Sequence, residues 1–396
     1  MKISYVVPGT FHGFDVANAL YDANILEMIY TPADILRVIK WKKKLPLKKV
    51  KFSAWPLLKK GKIKRNGDDE RILKKIKRDN SNVLIGYPNF SELIFSELNN
   101  KIKILDIDHF NWDAEVCNGL KNKSYNFKYF NLSNPLDPKY NLMQKNELQE
   151  EFKLRGIKYT HNIKQQYQKT IECELADIVM VPVSYVKNVL IEAGLPKEKI
   201  LLNPYGYNPN IFYPIKNKQY KNTVMYGGSI SYRKGWPYLK QILKYFDGSD
   251  IEILVAGGAE LNIKNEVDDF FAKSSSNIKY LGPLRQDELA HYMRNVGLFL
   301  FPSVLEGFGM TILQSMASGT TVIASKATCG TDLIVNGING YVIDKEDVSK
   351  WIETIEELCK DDMHMQTLGQ KAYSSVKEFT WNKYVDNIKI NVEKYK

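Results

Sequence analysis

The chemistry that this 396-residue chain could perform is concentrated where apolar runs end in glycines. Val296–Phe301 leads into Pro302-Ser303-Val304-Leu305-Glu306-Gly307-Phe308-Gly309-Met310-Thr311, so a buried strand ends in a carboxylate, a Gly-x-Gly step bares the backbone, and a helix begins. The free N–H groups at such a helix start attract phosphate through hydrogen bonds and through the dipole. A carboxylate is the wrong partner for that anion, because like charges repel. Glu306 is therefore read as an acceptor for hydroxyls attached to the phosphates, which describes a sugar; a plain helix cap is the alternative. A second turn, Tyr226-Gly227-Gly228-Ser229-Ile230-Ser231-Tyr232-Arg233-Lys234-Gly235, places glycines and hydroxyls ahead of two adjacent cations. Its glycines let N–H groups approach a phosphate that Arg233 and Lys234 would neutralise, although the same dipeptides also mark ordinary surface turns.

In the first half, Asp106-Ile107-Asp108 could grip a divalent ion together with substrate phosphates. The phosphate loops lie in the second half, so no metal is assigned. His109 follows at a strand's carboxyl end, facing a cleft, where an imidazole could orient a hydroxylated substrate or share its proton. His12, beside Gly13 in a first glycine turn, has the same standing. Satisfied structural histidines are the alternative for both.

These residues need strands to deliver them. Lys2–Val7, Asn82–Gly86, Ile102–Ile107, Ile178–Pro182 and Lys199–Asn203 read as strands of the first half, with a turn at Pro8–Gly13 and helical patterns at Asp15–Asn24, Ser91–Leu98 and Asn162–Leu175. Asn222–Tyr226, Ile251–Ala256, Ile278–Leu281, Val296–Phe301 and Thr320–Ala324 read as strands of the second, with helices at Trp236–Tyr245 and Gly309–Ser318, the latter stopped by Gly319. Strands alternating with helices imply parallel sheets. The length favours two domains: residues 1–205, residues 206–378, and a C-terminal helix over 379–396 that carries Tyr384, Ile388 and Val392 on one face and packs back on the first domain.

Charge is uneven. Residues 37–78 hold 18 Lys plus Arg against three acids, a local +15, while the whole chain carries +11, so the other 354 residues carry −4. This basic insert, with Trp41, Phe52 and Trp55 among its cations, suits an anionic membrane surface; a solvated loop is the alternative. Cys117, Cys173, Cys329 and Cys359 form no C-x-x-C pair, the start of the chain lacks a signal-peptide pattern, and no apolar run reaches membrane-span length. A cytoplasmic protein with reduced thiols is expected, peripheral on the inner face of the cell membrane.

Across residues 203–340 the chain resembles the retaining glycosyltransferases of family four, which have the GT-B architecture. The resemblance rests on Asn203-Pro204-Tyr205-Gly206-Tyr207-Asn208 to Phe212, Gly228–Gly235, Pro302-Ser303, Glu306-Gly307-Phe308-Gly309-Met310, Met316-Ala317-Ser318-Gly319, and Asp332-Leu333-Ile334-Val335-Asn336-Gly337 leading to Gly340. In that family two glutamates flank seven residues; here Glu306 holds the first position and Gln314 the second.

The resemblance implies an α/β fold of two facing Rossmann-like domains with parallel sheets and an interdomain cleft, and metal-independent transfer of a sugar with retention. The donor would be a UDP- or GDP-sugar, a substrate rather than a cofactor. It would be held by Gly13, Gly228, Ser229, Arg233, Lys234, Leu284, Glu306, Gly307, Phe308, Gly309, Met310, Thr311 and Gln314. Glu306, Lys234 and His109 would carry the catalysis. Glu306 would meet sugar hydroxyls, Lys234 the diphosphate, and Gln314 the ribose. An envelope-glycan, lipid-linked or other carbohydrate acceptor would bind the first domain. Gln314 accepts one hydrogen bond where the usual glutamate is charged, and Ser229 stands where many members carry arginine. The competing readings are a nucleotide-sugar epimerase or glycoside phosphorylase of the same architecture, and a polyanion-binding protein built on the basic segment. Nucleic acid is not an expected partner of the enzyme.

Overall fold

The computed structural model describes residues 1–7, 11–33, 38–39, 44–53, 68–88, 90–107, 172–192, 195–216, 218, 222–326 and 328–395. The described residues up to Gly206, together with those from Trp381 onward, form one compact unit, and Tyr207–Thr380 form another.

The first unit holds seven parallel strands: β1 (Ile3–Val6), β2 (Leu26–Thr31), β3 (Val50–Phe52), β4 (Val83–Gly86), β5 (Ile102–Asp106), β6 (Ile178–Val181) and β7 (Ile200–Leu202). Their spatial order is β3-β2-β1-β4-β5-β6-β7. The chain winds outward from β1 in one direction and then from β4 in the other, so the topological switch falls between β1 and β4. The fully buried runs of β1, β4 and β6 are what a parallel sheet covered on both faces requires.

Several features differ from the sequence reading, which did not anticipate strand β2 at Leu26–Thr31. The first helix spans Phe11–Asp22 rather than starting at Asp15, so His12 and Gly13 lie in its first turn. Phe14, Ala17 and Leu20 are all fully buried at helical spacing, and that burial extends the helix over the expected turn. The basic segment is also partly woven into the sheet, since Val50–Phe52 is edge strand β3 and Asp68–Ile76 is a helix that buries Ile72, Leu73 and Ile76. The helix Trp381–Glu393 buries Trp381, Tyr384, Val385, Ile388 and Val392 in this unit, and Asn203 Nδ2 donates to the Tyr384 carbonyl at 3.2 Å.

The second unit has six parallel strands: β8 (Thr223–Gly227), β9 (Glu252–Ala256), β10 (Ile278–Gly282), β11 (Leu298–Phe301), β12 (Thr321–Ser325) and β13 (Tyr341–Ile343). Their order, β10-β9-β8-β11-β12-β13, puts the switch between β8 and β11. Val224, Ile253, Val255, Leu298, Leu300 and Ile323 join Trp236, Leu239, Trp351 and Ile355 from the covering helices in one core. Ligands of open parallel sheets bind outside the carboxyl ends of the strands at such a switch. The turns that start at Gly228 and at Pro302 flank it.

Candidate functional site

The two turns of the second unit are fastened to each other. Val304 N donates to the Arg233 carbonyl at 2.9 Å, Ser303 Oγ reaches that carbonyl at 3.0 Å, and Arg233 Nη1 donates to the Leu305 carbonyl at 3.0 Å. Gly235 makes this approach possible. Its φ is +82°, and a Cβ there would lie 1.8 Å from the Pro302 carbonyl oxygen. Ser325 Oγ fixes the base of the second turn by donating to the Ser303 carbonyl at 2.5 Å.

At the centre is an ion cluster. Lys234 Nζ lies 2.5 Å from Glu306 Oε1, Arg233 Nη1 lies 3.3 Å from the same oxygen, and Ser303 Oγ donates to it at 2.7 Å. Glu306 Oε2 takes no hydrogen bond from any described residue. The Glu306 side chain is 8% exposed and that of Lys234 15%, with the ammonium 5.4 Å from the centroid of the Phe301 ring. Burial alone would raise the Glu306 carboxyl, but Lys234 and Arg233 outweigh burial and hold it below the usual carboxylate range. Burial pulls the Lys234 ammonium below the usual lysine range, with Glu306 opposing. The pair is a charged one kept at the edge of water.

Next to it begins the helix Met310–Ala317, with Gly309 at its N-cap in the left-handed region, φ +95°. The Phe308 carbonyl is held by Cys329 N at 2.7 Å, which fixes the approach to the helix. The N–H groups of Met310 and Thr311, in the first turn, are available to an anion. Gln314, one turn further on, is 8% exposed, and its amide makes no hydrogen bond to a described residue. The rim continues sideways: Gly228 is half-buried and Ser229 exposed, Ile230 N donates to the Gly258 carbonyl at 2.9 Å, and Gly257 N to the Gly282 carbonyl at 2.8 Å. Half-buried Leu284 follows two residues later.

Arg233, Lys234, Glu306, Gly307 and Phe308–Thr311 are thus brought together by two turns, with Gln314 one helical turn beyond. Gly13 is in the other unit, buried within its helix. His109 and Asp108 lie outside the described residues. Asp106 is 1% exposed and accepts hydrogen bonds from Tyr5 Oη at 2.7 Å and Tyr384 Oη at 3.4 Å.

The first unit contains a cluster that motif reading did not find. His12 Nε2 lies 2.8 Å from Tyr87 Oη and 3.4 Å from Tyr205 Oη, and its ring stacks on Tyr205 at 4.7 Å between centroids. His12 follows β1 and Tyr87 follows β4, so the pair flanks the switch of that sheet as Lys234 and Glu306 flank the other. The available signal was positional, since each residue stands just past the carboxyl end of a strand.

Residues 209–375, all within the second unit, match the family of glycosyl transferases group 1. Over 230 residues the chain is 28% identical to an uncharacterized glycosyltransferase of Methanocaldococcus jannaschii, covering 58% of this chain and 63% of that protein. It is 29% identical over 217 residues to the capsular polysaccharide biosynthesis glycosyltransferase CapM of Staphylococcus aureus, covering 50% and 56%. The matches therefore span less than two thirds of either relative. The fold is similar to that of HepE from Anabaena, solved in complex with UDP and glucose, with a TM-score of 0.69 over 100% of both chains at 13% identity. Two parallel-sheet α/β units of this kind are the GT-B fold.

Proposed function

We propose that this protein is a glycosyltransferase that moves a sugar from a UDP- or GDP-linked donor to a hydroxyl of a carbohydrate acceptor. One observation carries the reading: Glu306, with an open oxygen, is fixed between two cations and a helix start at the switch of the second sheet. Breaking a glycosyl phosphate bond leaves negative charge on the diphosphate. Lys234, Arg233 and the N–H groups of Met310 and Thr311 are placed to stabilise it, and Glu306 to accept hydrogen bonds from the sugar. Because these cations supply positive charge directly, transfer proceeds without a metal, and activity should survive EDTA.

The configuration is retained. The departing phosphate takes the proton of the acceptor hydroxyl on the face it leaves, so no second carboxylate is needed. The anomeric proton coupling of the first-formed product reads this directly. Envelope glycans or lipid-linked sugars are the proposed acceptors, in keeping with the capsular role in the name of the Staphylococcus aureus relative.

The basic segment is proposed to meet an anionic membrane. Among the described residues its cations divide into two sets. Lys44 pairs with Asp22, Arg71 with Asp68 and Lys77 with Glu97, while Lys49 and Lys75 donate to the carbonyls of Leu26 and Phe52. Lys48, Lys51, Lys74 and Arg78 are exposed and have no partner among the described residues. Binding to phosphatidylglycerol vesicles should fall when Lys48, Lys51 and Lys74 are changed to Gln, and unaltered binding would overturn this assignment.

The test of the reaction is a donor screen by thermal shift and by hydrolysis, with UDP-glucose, UDP-N-acetylglucosamine and GDP-mannose. Wild type should be stabilised by at least one donor and release its sugar, and Glu306→Ala should lose turnover. Retained turnover in that variant would sink the site.

A further inference from the structure

Lys234 and Glu306 are two groups that the proposed reaction needs apart. Lys234 Nζ sits 2.5 Å from Glu306 Oε1 and Arg233 Nη1 sits 3.3 Å from it, so an arriving diphosphate meets cations already held by an anion. That anion cannot swing far. The turn that carries Glu306 is tied to the Arg233 turn through Val304 N and through Arg233 Nη1 on the Leu305 carbonyl, and Ser303 Oγ holds Oε1 at 2.7 Å.

We propose that Glu306 makes the site select a nucleotide sugar over the nucleoside diphosphate that lacks the sugar, by competing for Lys234 and Arg233. The inference rests on the nucleotide-sugar reading of the same site. A bare nucleoside diphosphate takes the cations and leaves behind a carboxylate that is 7% exposed, short of counter-charge and next to a second anion. An uncompensated buried charge of this kind is strongly unfavourable. A nucleotide sugar brings hydroxyl donors along with its phosphates. Oε2 is open to one of them, and Oε1 becomes open as Lys234 turns to the diphosphate; charge-assisted hydrogen bonds then replace the lost ion pair. After transfer the sugar and its hydroxyls leave with the acceptor, Glu306 reclaims Lys234, and the diphosphate is released. The ion pair thus disfavours the product relative to the donor, although both carry the same nucleotide and two phosphates.

Calorimetric titration of the full chain with UDP, UDP-glucose, GDP and GDP-mannose tests this, using wild type, Glu306→Gln and Glu306→Asp. Glu306→Gln keeps the shape and one acceptor but removes the competing charge. It should bind the nucleoside diphosphate about tenfold more tightly than wild type and the sugar-bearing form no better, so the preference for donor collapses. Glu306→Asp, which draws the carboxylate back from Lys234, should move the same ratio in the same direction by less, and it serves if the Gln variant does not fold. Unchanged diphosphate affinity in a folded variant, or an equal change for both ligands, overturns the selectivity role and leaves the donor site standing. If wild type binds neither nucleotide in either form, the nucleotide-sugar reading itself falls.

Discussion

Each unit contains a buried carboxylate–lysine pair, and the two differ in what is left over. In the first unit Lys101 Nζ lies 2.8 Å from Asp79 Oδ1. Ser81 N and Oγ also donate to Oδ1, at 3.0 and 2.7 Å, while Ser4 Oγ and Tyr30 Oη donate to Oδ2, at 2.6 and 2.9 Å. Lys101 spends its remaining donors on the carbonyl and hydroxyl of Ser81. In the second unit Glu306 gathers its three donors on one oxygen, and the Lys234 ammonium has Glu306 as its one hydrogen-bond partner among the described residues. Position explains the contrast. Ser81 and Lys101 lie just before β4 and β5, at the amino ends of the strands, whereas Glu306 follows β11 at the carboxyl end. A saturated pair at the amino end holds a sheet together; an unsaturated pair at the carboxyl end has capacity for a ligand.

The largest effect expected from this contrast is on stability. Asp79→Ala leaves Lys101, whose side chain is 4% exposed, without its counter-charge, and should cost about 3–5 kcal/mol by urea denaturation. Lys234→Met should do the reverse. Its cost in folding should be about 1–2 kcal/mol, because Glu306 keeps Arg233 and Ser303, while turnover of the donor falls roughly 100- to 1,000-fold. If Lys234→Met unfolds the protein as severely as Asp79→Ala, or leaves turnover intact, the contrast between the pairs is wrong.

Acid should separate the pairs more finely. Burial alone would raise the Asp79 carboxyl, but hydrogen bonds from Lys101, Ser4 and Ser81 outweigh it and hold the group below the ordinary carboxylate range. An unfolded aspartate titrates near about 3.9, so as pH falls the unfolded chain takes up the proton first. The stability contributed by Asp79 is therefore complete above about pH 4 and is lost as pH falls through its lower folded value. Urea midpoints measured from pH 6 downward should drop less steeply for Asp79→Asn than for wild type. Equal slopes would show that Asp79 titrates no differently in the folded state.

Legibility in the sequence followed the same division. β1, β4 and β6 were readable because strands buried on both faces are nearly unbroken apolar runs. Edge strand β3 was not, since Val50-Lys51-Phe52 is three residues inside a lysine-rich stretch and takes its conformation from pairing with β2. At the site, glycines and helix start identified the two turns one at a time. Their fastening was invisible: Lys234 and Glu306 are far apart in sequence, and chemistry alone assigned them to different parts of a ligand, with no hint that each holds the other. The same limit hid the contact of His12 with Tyr87 and Tyr205, which depends on where three separate strands end.

Gln314 offers the smallest and sharpest test of capacity at the carboxyl end. It is 8% exposed and its amide is unpaired among the described residues, so like Glu306 Oε2 it has polar capacity that the folded chain does not use. An amide offers one acceptor oxygen and two N–H donors; a carboxylate offers two charged acceptors and suits a vicinal diol better. Gln314→Glu should therefore tighten nucleotide-sugar binding, but the new charge shares the neighbourhood of Glu306, and the repulsion offsets part of the gain. A net improvement of about threefold to tenfold in Kd is expected, with no loss of thermal stability in the presence of donor. The 2′,3′-dideoxy nucleotide should gain nothing from the substitution. If it gains as much as the ribonucleotide, Gln314 does not face the ribose, and the open capacity of the site ends at Glu306.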